Sequence, residues 1–237
     1  MKIISAAHVL TMNKKLEYIA DGAVLINGHT IAAIDQREKL IQQYPHVEHE
    51  HHANGLLMPG LINTHCHSGL LRGTAEGLPV WDWLQQFIDP MHRVLLPEDA
   101  KIASYLCYAE ALLSGTTTIV DMWRYMDGSA EAAEQLGIRA VLVPYVAEHP
   151  DHNYFETLKT NEALIQRWHE QANGRINVWV GLEHLFYAEQ PALARIQNMC
   201  QDYQTGFHTH SNESQFDVQE NLKRYGMRPI QTLEKLG

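Results

Sequence analysis

Residues 58 to 67 read Met58-Pro59-Gly60-Leu61-Ile62-Asn63-Thr64-His65-Cys66-His67. In an extended strand the side chains at i and i+2 share a face, so His65 and His67 point the same way at the carboxyl end of the run. Two imidazoles so placed offer two nitrogen ligands to one divalent ion, and imidazole suits zinc, iron or nickel alike. An isolated His-x-His is equally a pair of exposed histidines on a strand end. Its meaning therefore depends on what surrounds it.

Downstream, buried strands alternate with segments of helical periodicity. The pattern predicts strands over Leu56–His65, Thr117–Asp121, Arg139–Tyr145, Ile176–Leu182 and Thr205–His210. Helices are predicted over Glu98–Leu113, Ser129–Leu136, Asn161–Gln171, Pro191–Asp202 and Ser214–Tyr225. Gly115 and Gly137 stand where helix stops belong, and Pro191 suits a first helical position. Such alternation builds a parallel sheet with crossover helices. A closed barrel of eight units takes roughly 250 residues. Residues 56–237 carry five units, so the expectation is an α/β fold, a (β/α)8 TIM barrel truncated after about five units. An open five-stranded parallel sheet is the competing geometry.

Upstream, residues 1–55 read as short antiparallel strands. Gly22–Ile26 and Thr30–Ile34 flank the turn residues Asn27 and Gly28, the pattern of a hairpin. The predicted organisation is the N-terminal part of a small β-sandwich over 1–55 and a barrel domain over 56–237.

Composition narrows the function classes. The chain has 237 residues, 45% hydrophobic, enough for a substantial core, and a net charge of -10 from 28 acidic and 18 basic residues. With no dense Lys/Arg run, nucleic acid and anionic membranes are poor partners, and a small-molecule substrate fits better. Cys66, Cys107 and Cys200 form no CxxC pair, which suggests reduced thiols in a cytoplasmic setting. The HxE and PCxxC zinc signature of nucleoside deaminases is absent. No signal peptide is visible, and no apolar run approaches the ~18 residues of a membrane span. Assembly as a homo-oligomer is expected.

From Pro59-Gly60-Leu61-Ile62 through His65-Cys66-His67, Leu70-Leu71-Arg72-Gly73, Trp81-Asp82-Trp83-Leu84 and Ser114-Gly115-Thr116-Thr117-Thr118 into Asp121, the sequence resembles the amidohydrolase superfamily. The resemblance covers essentially the whole chain. It is nearest to the aminohydrolase branch that includes methylthioadenosine and S-adenosylhomocysteine deaminases and triazine hydrolases. It implies that His65 and His67 are metal ligands. In the family the fifth strand ends in a histidine ligand with Glu three residues later, and His210 with Glu213 in Phe207-His208-Thr209-His210-Ser211-Asn212-Glu213 matches. His208 faces the same way one pair deeper, where burial is its expected fate. Glu213 would then be the general acid/base; its bland reading is a helix N-terminal residue favoured by the dipole.

His184, ending Gly181-Leu182-Glu183-His184, matches a substrate-contacting histidine of some deaminases, or is a satisfied loop histidine. The fourth strand has no lysine of the kind that bridges two metals in binuclear members, so the resemblance implies one divalent metal ion, zinc in preference to iron. Arg72, Glu76, Trp81, Trp83 and Trp123 are expected on loops over the mouth, where aromatic walls and a few polar groups suit a flat heterocycle. Trp81 and Trp83 could equally pack a lid helix. Four residues separate His67 from Arg72, fewer than in these relatives, which counts against a purine nucleoside. The implied activity is hydrolytic deamination of a heterocyclic or guanidine-like C=N group. An amidase or ring-opening hydrolase, and a metal-binding but inactive fragment, are the alternatives.

Overall fold

A computed structural model describes residues 1–69, 74 and 77–236. The chain forms two compact units, Met1–Gly60 and Leu61–Gly237.

The first unit is one four-stranded sheet with β1 (Lys2–Leu10), β2 (Tyr18–Asn27), β3 (Thr30–Gln36) and β4 (Glu48–Leu57), plus the short helix α1 (Arg37–Gln43) between β3 and β4. The order is β3-β2-β1-β4. The β2–β3 hairpin turns where the sequence places it, with Gly28 at φ 59°, a left-handed position that glycine adopts without a Cβ penalty. The expectation of antiparallel strands throughout needs correction, because β4 runs parallel to β1, pairing Glu48 with Lys2. The α1 crossover makes that direction possible. Its Leu40 packs on Ile3, Ala23 and Leu25. A second sheet layer, as a β-sandwich requires, is not among the described residues.

The second unit begins with β5 (Leu61–Cys66). The single strand predicted over Leu56–His65 is therefore two strands, β4 and β5, separated at Met58-Pro59-Gly60. Proline has no N–H to give a ladder, which ends β4 there. After β5 come two short helices, α2 (Val80–Trp83) and α3 (Asp89–Val94), joined by a π-turn over Leu84–Ile88. Helix α4 (Pro97–Leu113) buries Ala100, Ser104 and Tyr108, whose spacing of four sets them on one face. Then follow β6 (Thr116–Trp123), α5 (Met126–Leu136), β7 (Arg139–Pro144) and α6 (Leu158–Trp168). Helix α5 stops at Gly137, φ 79°. The rest is the single turn α7 (Gln171–Gly174), β8 (Ile176–Val178), β9 (Val180–His184), α8 (Gln190–Asp202), β10 (Phe207–His210), α9 (Gln215–Tyr225) and α10 (Pro229–Leu236).

Every strand pair in this unit is parallel, and β5, β6, β7 and β8 lie side by side in chain order. The predicted fourth strand is split into β8 and β9 at Trp179. The cause is the buried Asn161 on α6: its amide donates to the Trp179 carbonyl at 3.2 Å and accepts the Gly181 N–H at 2.8 Å, removing both groups from the ladder. Beyond the split β9 pairs with β10, while its Glu183 N–H still reaches the Val146 carbonyl just past β7. The result is an α/β array of five parallel strand positions in barrel order. Among the described residues it does not close, since β5 and β10 do not pair. Strand β6 is buried over its last five residues, as expected of a parallel strand covered on both faces. Each large apolar side chain sealed there, such as Ile119 or Met122, contributes roughly 1.5–3 kcal/mol. Among the described residues no helix is long and apolar enough to cross a membrane.

Candidate metal centre

His65 and His67 come from the end of β5, and His210 from the end of β10. Their Nε2 atoms converge: His67 Nε2 lies 3.0 Å from that of His65 and 3.2 Å from that of His210. The outer nitrogens decide the tautomers. His67 Nδ1 lies 2.7 Å from the Met122 carbonyl and His210 Nδ1 lies 2.9 Å from the Glu183 carbonyl. A carbonyl can only accept, so each Nδ1 carries the proton and each Nε2 turns a lone pair toward the common centre.

Lone pairs facing one another repel unless a cation lies between them. Imidazole nitrogens at the roughly 2.0–2.1 Å usual for zinc stand about 3.3 Å apart around a tetrahedral ion, close to the observed spacings. The donor set therefore fits one divalent ion, with carbonyls behind two of its rings in the supporting role common at metal sites. Burial pulls the His67 imidazole down to about 4 and that of His210 to about 2, each helped by neighbouring histidines, which keeps both rings in the ligating form.

His208 is half-buried rather than sunk in the core, and its Nε2 lies 3.0 Å from His65 Nδ1. It thus meets the outer nitrogen of His65, but unlike the two carbonyls an imidazole nitrogen can donate as well as accept, so either ring can supply the proton of this contact.

The β5 end is held by the buried Asp121 of β6. One oxygen accepts the Ser68 N–H at 2.9 Å, and the other accepts the Tyr108 hydroxyl at 2.6 Å. Burial raises the Asp121 carboxyl above its usual range, and these donors work against that rise. The Ser68, Ser104 and Ser129 hydroxyls continue the network at 3.0 and 2.8 Å.

Glu213 sits just before α9. Its N–H donates to Asp217 Oδ2 at 3.0 Å, and Ser214 Oγ accepts the Asp217 N–H at 3.3 Å, a reciprocal cap. Ser214 Oγ also receives the Trp81 indole N–H at 2.6 Å, tying α2 to the same cap. The Glu213 carboxylate lies 3.4 Å from His184 Nε2, and this imidazole holds it below its usual pKa. His184 ends β9 and is fully buried, with Nδ1 at 2.6 Å from Glu183 Oε2. Burial alone would lower this ring, but the Glu183 and Glu213 carboxylates outweigh it and carry it up to about 10.

A cavity of about 30 Å³ among Trp83, Trp123, Tyr145, Glu183 and Glu213 reaches His67 and His210. It shares Leu84, Tyr145 and Glu183 with a larger one of about 330 Å³ walled by Trp81, Phe155, Phe186, Tyr187 and Phe216. Trp81 and Trp83 ride on α2. Trp123 departs from the expected loop position: it is the last residue of β6 and 1% exposed. Glu183 and Tyr145 were not singled out by sequence; a glutamate directly before a strand-end histidine was the available signal. Arg72 and Glu76 lie outside the described residues.

A family profile described as "Amidohydrolase family" matches residues 56–237. A 5-methylthioadenosine/S-adenosylhomocysteine deaminase of Thermoanaerobacter pseudethanolicus is 32% identical over 241 residues, covering 99% of this chain and 54% of that protein. The enzyme of the same name from Caldanaerobacter subterraneus subsp. tengcongensis is 39% identical over 185 residues, 77% of this chain and 43% of its own. The chain thus spans about half the length of the curated relatives it matches. Among solved structures, an atrazine chlorohydrolase of Arthrobacter aurescens TC1 complexed with zinc and atraton superposes with a TM-score of 0.89 at 23% identity, over 100% of this chain and 58% of that one.

Proposed function

The chain belongs to the amidohydrolase family, and from that premise we propose that it carries the imidazole ligands and the proton-transfer group of a metal-dependent hydrolase that deaminates a heterocyclic or guanidine-like C=N substrate. The observation that supports this reading is the convergence of three Nε2 atoms, from His65, His67 and His210, beside the Glu213 carboxylate. The deaminase names of its relatives support the reaction class. One ion, zinc in preference to iron, is the proposed cofactor, and a small molecule the proposed partner. A homo-oligomer in the cytoplasm is proposed too; Cys66, Cys107 and Cys200 form no disulfide among the described residues, which suits a reducing compartment.

Bound there, a divalent ion lowers the pKa of a water from 15.7 to about 7. The protein's own groups do the remainder. The aromatic walls of the larger cavity stack on a flat ring and exclude water from it. Glu213, ionised and held by its α9 cap, takes a proton on the water side and delivers it to the nitrogen of the C=N group. His184 holds a polar atom of the substrate next to that carbon. The oxygen of that water bonds to the carbon of the C=N group, and as the C–N bond of the tetrahedral adduct breaks, the adduct's hydroxyl proton passes through Glu213 to the departing amino group, which leaves as ammonia or an amine.

The test is a joint measurement on the zinc-loaded full-length protein: metal stoichiometry, and release of free ammonia from amino-substituted triazines, purines and guanidines. About one ion per chain with ammonia release is the expected result. Metal content near zero after reconstitution, or hydrolysis of amides without ammonia from any C=N compound, would overturn the reading.

A further inference from the structure

Glu183 has a carboxylate that the reaction above does not use. It is 2% exposed, and a buried carboxylate is costly unless its oxygens are hydrogen-bonded. Both are. Oε1 accepts the Tyr145 hydroxyl at 3.1 Å, and Oε2 accepts from His184 Nδ1 at 2.6 Å.

The consequence falls on His184. A carboxylate is an acceptor only, so the proton sits on Nδ1, and the bond fixes the rotation of the ring. Stacking completes the clamp: His184 lies 5.3 Å from the His210 ring at 28° and 4.9 Å from Phe186 at 26°. With Nδ1 engaged, Nε2 faces Glu213 at 3.4 Å, yet it is buried and makes no hydrogen bond among the described residues. Its ion pair with Glu213 is long, and buried donors in native proteins rarely lack a close hydrogen bond without a reason. Here the atom points to where Glu213 would meet a substrate.

We infer that Glu183 is a positioning residue: acting through His184, it sets where a polar atom of the substrate is held beside Glu213, and so favours substrates with a hydrogen-bonding ring nitrogen or exocyclic heteroatom next to the reacting carbon. This rests on the hydrolytic reading above. Tyr145 supports it by holding the other carboxylate oxygen.

The experiment compares zinc-loaded full-length wild type with Glu183→Gln, which keeps an acceptor for Nδ1–H, and Glu183→Met, which has similar length and no acceptor. Glu183→Met should lose about 10²-fold in kcat/KM, the scale of a misplaced positioning group, mostly through KM and with zinc content unchanged. Glu183→Gln should recover most of that loss. Independently of turnover, the Nδ1 proton held by Glu183 should give a resonance downfield of the amide region that is lost in His184→Gln and Glu183→Met and kept in Glu183→Gln. Wild-type KM in a folded Glu183→Met chain overturns the inference. If that chain does not fold, the wild-type spectrum decides: the lack of any downfield signal sensitive to His184→Gln overturns it too. Should the wild type release no product from any C=N compound, the hydrolytic reading fails, while the resonance still reports whether Glu183 orders His184.

Discussion

The hydroxyl of Tyr108, on α4, donates to Oδ2 of Asp121, on β6, at 2.6 Å, with both side chains fully shielded from water. The other oxygen of Asp121 holds the main chain directly after His67. Replacing Tyr108 by Phe leaves a buried carboxylate oxygen without its donor, which should cost about 1–3 kcal/mol. Urea unfolding of wild type and variant measures the cost; an unchanged midpoint would show that Asp121 does not depend on this bond.

Glu213→Gln should retain the ion, because Glu213 is not among the converging nitrogens, and should lose activity by roughly 10²–10⁴-fold if its task is proton transfer. Metal analysis alongside turnover separates the two effects. Full activity in this variant rejects the proton-transfer role.

His65→Ala removes one of three converging imidazole nitrogens. The variant should lose stoichiometric metal and turnover together, as should wild type after dialysis against a chelator, with zinc restoring only the latter. Anomalous scattering that still places a full-occupancy ion beside His67 and His210 in the variant would falsify the assignment.

His92 is 1% exposed, packed against Trp123 and Tyr145, and neither ring nitrogen has a hydrogen bond among the described residues. Burial, helped by the Arg124 charge, lowers it to about 3. Below its ordinary value near 6.5 the unfolded chain takes up a proton that the folded ring refuses. Stability should therefore fall as pH drops from about 6.5 toward 3, by up to about 1.4 kcal/mol per pH unit from this group. His92→Phe should flatten that part of the profile. Parallel losses in wild type and variant between those limits would dismiss His92 as the cause.

A Cβ added to Gly181 would fall 1.9 Å from the Pro144 carbonyl oxygen. Backbone cannot yield as a flexible side chain can, so Gly181→Ala must push β9 from β7 at a cost of about 3 kcal/mol or more. Thermal unfolding will read this directly, and a wild-type melting temperature would mean that the two strands are less closely seated than described.

Local patterns carried much of this structure in the sequence. The facing of His65 and His67 follows from a period of two, the α9 start at Ser214 from the onset of helical periodicity, and the α5 stop from Gly137. The parallel array followed from strand and helix alternation. What stayed hidden depends on contacts between distant residues. Nothing near Trp179 announces a break, because the amide that causes it belongs to Asn161. Nothing near Glu183 says that Tyr145 will meet it. The parallel docking of β4 on β1 depends on how α1 crosses the sheet, and His208 stays half-buried instead of sinking into the core, beside a partner, His65, that lies 143 positions away.

The pairing of His67 with His210 spans 143 positions as well, and it joins the ends of β5 and β10, which share no ladder among the described residues. An ion gripped there would be a clasp as well as a reagent, linking the ends of two strands that, among the described residues, are joined otherwise through the strands between them. Closing so long a stretch of free chain carries an entropic cost, and stacking of the intervening strands meets most of it before the grip forms. Acquisition of metal would then report the completion of the strand array, and its loss would loosen both strand ends at once.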